Sequence, residues 1–263
     1  MGLDVKGVVA LRVIAAGVVA SCLLSCATQP AAVRQPPPPP PAARATSFSP
    51  VAWPRREVLD LALQAFRCGR SLGYIDRPLL TVIDYSLPST DRRLWVIDLA
   101  RKRVLFNEMV AHGENSGDNF AVAFSNRPGS RQSSLGLFRT DDTYEGEHGL
   151  SLRLTGLEAG INDLARERRI VMHGAAYVSD AFVAERGRIG RSWGCPALPD
   201  AVHARVIDAI RDGSAVFAYY PDADWLQSSR FLHCDARMAD AGALRGARRT
   251  SRAISGGMPT RIG

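Results

Sequence analysis

Leu79-Leu80-Thr81-Val82-Ile83-Asp84-Tyr85 is the point at which the chain changes its period. Upstream of it, from Pro54, the apolar residues Val58, Leu61, Ala65 and Leu72, with Leu59, Leu63 and Phe66 beside them, recur at about 3.6 residues. That spacing predicts one amphipathic helix ending in the Gly69 to Gly73 stretch. Downstream the apolar runs are short: Leu94–Leu99, Val104–His112, Ala121–Ser125, Leu135–Thr140, Ser151–Leu154, Ile170–His173 and Ser214–Tyr220. Turn-forming stretches such as Asn126-Arg127-Pro128-Gly129-Ser130 separate them. Strands of this length and spacing predict a β-sandwich or barrel rather than a parallel α/β sheet. Two helices interrupt the series, one lined by Leu157, Ile161 and Leu164, the other Ala201–Asp212 with Asp200 as N-cap and Gly213 as C′ residue. The expected class is mostly β (α+β), with a few packed helices and a helix in front.

The remaining sequence flanks this unit. The chain has 263 residues, 46% of them apolar, enough for one main globular domain and flanking segments. Its formal charge of +7 is unevenly spread. Residues 1–56 and 236–263 each carry six basic side chains and one acidic one, while the stretch between them carries 21 basic and 24 acidic. A mildly acidic core excludes a nucleic-acid-binding domain, whose positive charge belongs on the folded face. In residues 1–26, Lys6 and Arg12 precede an apolar run from Val13 that is too short to span a bilayer and has the form of a signal-peptide core. Val19-Ala20-Ser21-Cys22 and Leu23-Leu24-Ser25-Cys26 are similar to a bacterial lipobox, which implies Cys26, or else Cys22, as the lipid-bearing residue of an exported, membrane-tethered protein; an ordinary signal peptide or a single uncleaved anchor is the alternative. Residues 27–54, with six consecutive prolines at 36–41, predict a semi-rigid spacer. The domain is then 55–235, and the basic segment 236–263 is expected to be disordered, either simply solvated or drawn to anionic wall polymers or lipid head groups.

Reactive side chains concentrate near the end of the domain. Arg169-Ile170-Val171-Met172-His173-Gly174 ends a buried strand on a histidine, and Gly190-Arg191-Ser192-Trp193-Gly194-Cys195-Pro196 is a tight turn carrying a cysteine. An isolated thiol is little ionised at neutral pH, and an adjacent imidazole that accepts its proton makes it a nucleophile. A glycine before the cysteine lets a substrate carbonyl approach the backbone, where the N–H groups of Gly194 and Cys195 are candidate oxyanion donors. Pro196 has no N–H to contribute. Neither Cys-x-x-Cys nor His-x-x-x-His pairs are present, so no metal site and no cofactor is expected. Cys68 and Cys234 are left over in an oxidising compartment, either bonded to each other or both free.

These segments, with Leu80–Ser86, Ala111–Gly117, Phe124–Asn126, Ser133–Gly136, Ser151–Leu154 and Gly160–Asp163, resemble the murein L,D-transpeptidase catalytic domain proteins of bacterial cell walls over about residues 57–220. The superfamily pattern is His-Gly followed by Ser/Thr-x-Gly-Cys on a mostly β domain. The resemblance implies Cys195 as nucleophile and His173 as base, the histidine being oriented by a backbone carbonyl. It implies that Ser192, Trp193, Gly194 and Gly174 form the oxyanion and cleft region, and that His112, Ser134 and Gly136 lie along the cleft. The superfamily's arginine two residues after the cysteine is replaced by Ala197, so Arg191, or else Arg188, is the candidate clamp for a substrate carboxylate. The implied reaction is acyl transfer from a peptidoglycan stem peptide, with D-alanine leaving and an amine attacking the thioester. Water as acceptor would make the same site an L,D-carboxypeptidase or wall-peptide hydrolase, and a fold kept without chemistry would be a wall-binding lipoprotein. Oligomeric state is not legible in the sequence.

Overall fold

The apolar face read upstream of residue 72 forms helix α1, Arg56–Ser71, which buries Val58, Ala62, Ala65, Phe66, Cys68 and Gly69. It stops at Gly73, whose left-handed φ of 76° turns the chain away. The structure, a computed structural model, describes residues 53–234. The signal segment, lipidation at Cys26 or Cys22, the basic tail and all but the last two residues of the proline-rich spacer lie outside the described residues.

The elements follow as β1 Leu79–Asp84, β2 Leu94–Asp98, β3 Arg103–Glu108, β4 Gly136–Gly146, β5 Gly149–Gly156, β6 Val171–Ala175, α2 Asp180–Arg186, β7 Ala197–Pro199, α3 His203–Ile210, β8 Ala215–Tyr219 and α4 Ala223–Ser228. The eight strands form one sheet in the order β3-β2-β1-β8-β4-β5-β6-β7. The β1–β8 and β6–β7 pairs are parallel and the others antiparallel. Strands β1, β2 and β8 are buried along their whole length, which is why they read as continuous apolar runs. Helix α1 covers β1 and β8, and α3 covers β5 and β6.

After β3 the chain crosses to the opposite edge of the sheet. Ala111 N donates to Ala197 O at 2.9 Å, Ser192 N to His112 O at 3.0 Å, and Glu114 N to Ser192 O at 2.7 Å. These bonds bring the two edges together, and the result is a nearly closed, barrel-like α+β fold, as expected. The disulfide Cys68–Cys234 ties α1 to the residues after α4, which resolves the open alternative in favour of a bonded pair.

Several local expectations are corrected. Ala121–Ser125 is not a strand: Val122 N and Ala123 N both donate to Ser116 O, and Ser125 N to Ser133 O, so no ladder forms. The strand expected over Val104–His112 ends at Glu108, where the chain leaves β2 for the crossing. The helix expected around Leu157, Ile161 and Leu164 is a series of turns. Asn162 Oδ1 accepts the Glu158 N–H, and Glu158 O receives the N–H groups of Ile161, Asn162 and Asp163, holding the segment short of a regular helix. In α3 the flanking residue is Val202, without a side-chain cap, rather than Asp200. Strand β7 and helices α2 and α4 were not anticipated.

Candidate active site

The site forms at the seam where the sheet edges meet. Strand β6 is buried throughout and carries His173 in its centre, 3% exposed. The parallel register sets His173 beside Ala197, so the residues just before β7 are delivered to the same place. His173 and Cys195 thereby line one cleft of about 480 Å³ with His148, Tyr177, Trp193 and Arg168. The Nδ1 atom of His173 lies 2.8 Å from Gly174 O. A carbonyl only accepts, so Nδ1 carries the hydrogen and Nε2 keeps its lone pair. Burial, then the nearby His148 and His203, hold the His173 pKa below its ordinary value.

Cys195 is a free thiol. Its Sγ accepts the Val171 N–H at 3.5 Å and faces Arg169 O at 3.8 Å. Burial pushes its pKa up, opposed by the Val171 N–H and the Arg168 charge. The imidazole shifted down and the thiol shifted up both disfavour the ionised forms.

The turn around Cys195 is braced from within. Ser192 Oγ donates to Cys195 O at 2.6 Å and accepts the Gly194 N–H at 3.1 Å, and Ser133 Oγ donates to Gly194 O at 3.3 Å. Gly194 has φ 117°, and a Cβ there would lie 2.6 Å from Gln132 O. Its N–H is already engaged by Ser192 Oγ, which corrects the expectation that Gly194 and Cys195 both donate to an oxyanion. Gly174 is required for packing, since a Cβ would meet His203 Nδ1 at 2.6 Å and Asp200 Oδ1 at 2.7 Å.

The model of the L,D-transpeptidase catalytic domain family matches residues 53–219. The chain belongs to this family. No curated protein matches. Among solved structures, an L,D-transpeptidase from Mycobacterium smegmatis is similar at 15% identity over 54% of this chain and 59% of that one, with a TM-score of 0.34. An L,D-transpeptidase from Stackebrandtia nassauensis is similar at 12% identity over 62% and 68%, with a TM-score of 0.33. L,D-transpeptidase 3 from Mycobacterium tuberculosis gives 14%, 54%, 61% and 0.33. The chain thus spans about three fifths of the length of the first of these. A disulfide is the mark of an oxidising compartment, in keeping with the extracytoplasmic setting of a cell-wall enzyme family.

Within this L,D-transpeptidase-family domain the other expected site residues take different places. Trp193 stands at the lip of the cleft, 68% exposed, with the Arg131 guanidinium 4.5 Å from its ring centre. Arg191 lines the cleft, but its Nη1 is committed to Gly117 O at 3.0 Å and Asp118 Oδ1 at 2.9 Å. Arg188 also faces Asp118, at 3.9 Å, so neither arginine presents an uncommitted charge. His112 is fully buried behind the cleft: Arg93 Nη2 donates to its Nδ1 at 2.7 Å, and its Nε2 lies 3.3 Å from Gly117 O. Burial and the Arg93 charge bring the His112 pKa down to about 4, so it is a neutral brace and not a substrate contact. Ser134 and Gly136 lie behind the cleft wall. Ser134 Oγ donates to Ser125 O at 2.9 Å, and a Cβ on Gly136 would strike Glu158 Oε1 at 2.4 Å.

Among the cleft residues missed in the sequence are His148 and Arg168. His148, at the β4–β5 hairpin tip, stacks on His173 with ring centres 4.5 Å apart and planes 22° from parallel. Arg168 reaches the Cys195 turn from the segment before β6. Neither announces itself: one lies in a polar hairpin tip, the other in the charged run Arg166-Glu167-Arg168-Arg169.

Proposed function

We propose that the domain is a peptidoglycan L,D-transpeptidase with Cys195 as nucleophile and His173 as general base. The observation that carries this reading is the shared cleft, lined by a free thiol and by an imidazole whose Nδ1–H is fixed on Gly174 O and whose Nε2 keeps its lone pair. His173 Nε2 takes the proton of Cys195, and the thiolate attacks the carbonyl of the stem-peptide residue that precedes a terminal D-alanine. The Cys195 N–H is the backbone donor of the turn left to meet the developing oxyanion, since the Gly194 N–H is held by Ser192. His173 returns its proton to the departing D-alanine amine, leaving a thioester on Cys195. An amine from a second stem peptide then resolves it, and the thiol is restored. The exported, tethered placement belongs to the same proposal: residues 1–26 act as a lipoprotein signal with Cys26, or else Cys22, as the lipidated residue.

Incubation with a tetrapeptide-bearing muropeptide, followed by mass spectrometry, tests the chemistry. The expected result is a thioacyl adduct on Cys195, release of D-alanine and cross-linked dimers. Cys195→Ala is expected to lower turnover by about 10⁴-fold or more. Tripeptide without dimer would replace the transpeptidase with the carboxypeptidase. A folded protein with a free thiol and neither adduct nor turnover would overturn the enzymatic reading.

A further inference from the structure

Arg168 is the cleft cation whose place the proposed acyl transfer does not yet explain. Its side chain lies across the segment that walls off the Cys195 turn. Nη1 donates to Ser125 O at 2.6 Å and to Ser134 Oγ at 2.5 Å, and Nη2 donates to Ser130 Oγ at 3.2 Å and to Gln132 O at 2.5 Å. All four acceptors are neutral, and no ion pair among the described residues includes Arg168. The guanidinium is half-buried, so its charge is partly desolvated and not neutralised. It points at the nucleophile's own turn: a Cβ on Gly194 would sit 3.3 Å from Arg168 Nη2. Of the other cations near the cleft, Arg191 and Arg188 face Asp118, and Arg169 is exposed to solvent. The position two residues after the cysteine is Ala197, fully buried against β6, where a guanidinium has no room.

We propose that Arg168 is the positioning cation of this site, clamped by four neutral acceptors so that its uncompensated charge stabilises the Cys195 thiolate formed when His173 Nε2 takes the thiol proton. The clamp fixes where the charge stands, and neutral acceptors leave it undiminished. A carboxylate in place of either serine hydroxyl would accept the same hydrogen bond and cancel the effect. The inference rests on Cys195 as the reactive thiol of the proposed function, but it makes no use of the substrate.

The experiment follows alkylation of Cys195 by iodoacetamide as a function of pH, read on the Cys195 peptide by mass spectrometry so that other thiols do not contribute. Wild type is compared with Arg168→Gln, which keeps donors and removes charge, with Arg168→Lys, which keeps charge, and with Ser130→Asp, which places a carboxylate beside Nη2 and leaves Arg168 intact. The expected result is a shift of the reactivity profile to higher pH in Arg168→Gln and in Ser130→Asp, with the thiolate population at neutral pH falling about tenfold. Arg168→Lys stays near the wild-type profile. Should Arg168→Gln fail to fold, the Ser130→Asp profile decides. Equal profiles in wild type and Ser130→Asp, or equal shifts in the Gln and Lys variants, would reduce Arg168 to a brace for residues 125–134 and overturn the proposal. Muropeptide turnover is scored separately. A shifted profile without turnover in wild type leaves Arg168 in its role and removes the substrate, whereas turnover with an unshifted profile does the reverse.

Discussion

Two imidazoles stacked at 4.5 Å do not both carry a proton without cost, and His148 stands in that relation to His173. Burial is the larger cause of the lowered His173 pKa, and the like charge of His148 adds to it. Both disfavour the protonated form, so Nε2 remains a free base to a lower pH than an exposed histidine, whose ordinary value is 6.5. Replacing His148 by alanine opens the His173 ring to water and removes the neighbouring charge, and the two changes have the same sign. The expected outcome for His148→Ala is an acid limb of the pH–kcat/KM profile displaced to higher pH, with the plateau changed only about two- to threefold. An unmoved limb would mean that the stack holds the hairpin and does not tune the base. His112 shows how the same residue type is used differently one layer deeper. There the ring is sealed against Arg93, fully buried and neutral, and it shapes the 113–117 loop from behind the cleft.

The element that presents Cys195 is the turn between α2 and β7, and its conformation depends on Gly194. Its positive φ of 117° and the 2.6 Å approach to Gln132 O leave no space for a side chain. Gly194→Ala is therefore expected to destabilise the domain by about 1–3 kcal/mol and, by displacing Cys195, to lower turnover about 100-fold. Denaturant titration and steady-state rates check the two effects together. Loss of stability with full activity would show that the turn relaxes away from Cys195. That turn was legible in the sequence, because glycines around a cysteine and a strand ending in His-Gly are local signals. Strands β1, β2 and β8 were legible because both of their faces are covered, so their apolar character is unbroken. Strand β7, three residues ending in proline, was not, since its identity comes from pairing with His173, Gly174 and Ala175. Helix α2 buries no residue and so has no apolar period to read. Residues 121–125 have the composition of a strand, but their backbone bonds go to Ser116 and Ser133. Arg168 and the buried partnership of His112 with Arg93 were hidden for a related reason: each acquires its meaning from a group distant in sequence and adjacent only in the fold.

At the scale of the whole molecule, the nearly closed sheet puts its stabilising tie and its chemistry in different places. The cleft lies beside β6 and the turn that leads into β7, whereas Cys68 and Cys234 join α1, packed on β1 and β8, to the segment after α4. That segment is anchored on its own account: Phe231 and Leu232 are buried, and Gln64 Nε2 donates to Leu232 O at 2.5 Å. The bond spans 166 residues of sequence, so nearly the entire described domain is one covalent loop. Closing a loop of that size removes conformational freedom from the unfolded chain, worth about 5 kcal/mol on the chain-entropy account. The native packing around α1 is expected to persist without it, because the helix buries Val58, Ala62, Ala65 and Phe66 in the apolar core. The Cys68→Ser, Cys234→Ser double variant is accordingly expected to unfold at lower denaturant with about 3–5 kcal/mol less stability. At 25 °C its kcat/KM on muropeptide and its Cys195 alkylation rate should stay within about twofold of wild type, because neither cysteine lines the cleft. Reductant alone should reproduce the stability loss in wild type and have no effect on the double variant. A proportional fall in kcat/KM would show instead that the tie between α1 and the end of the domain is felt at the cleft, and that the sheet transmits strain from β1 and β8 to β6.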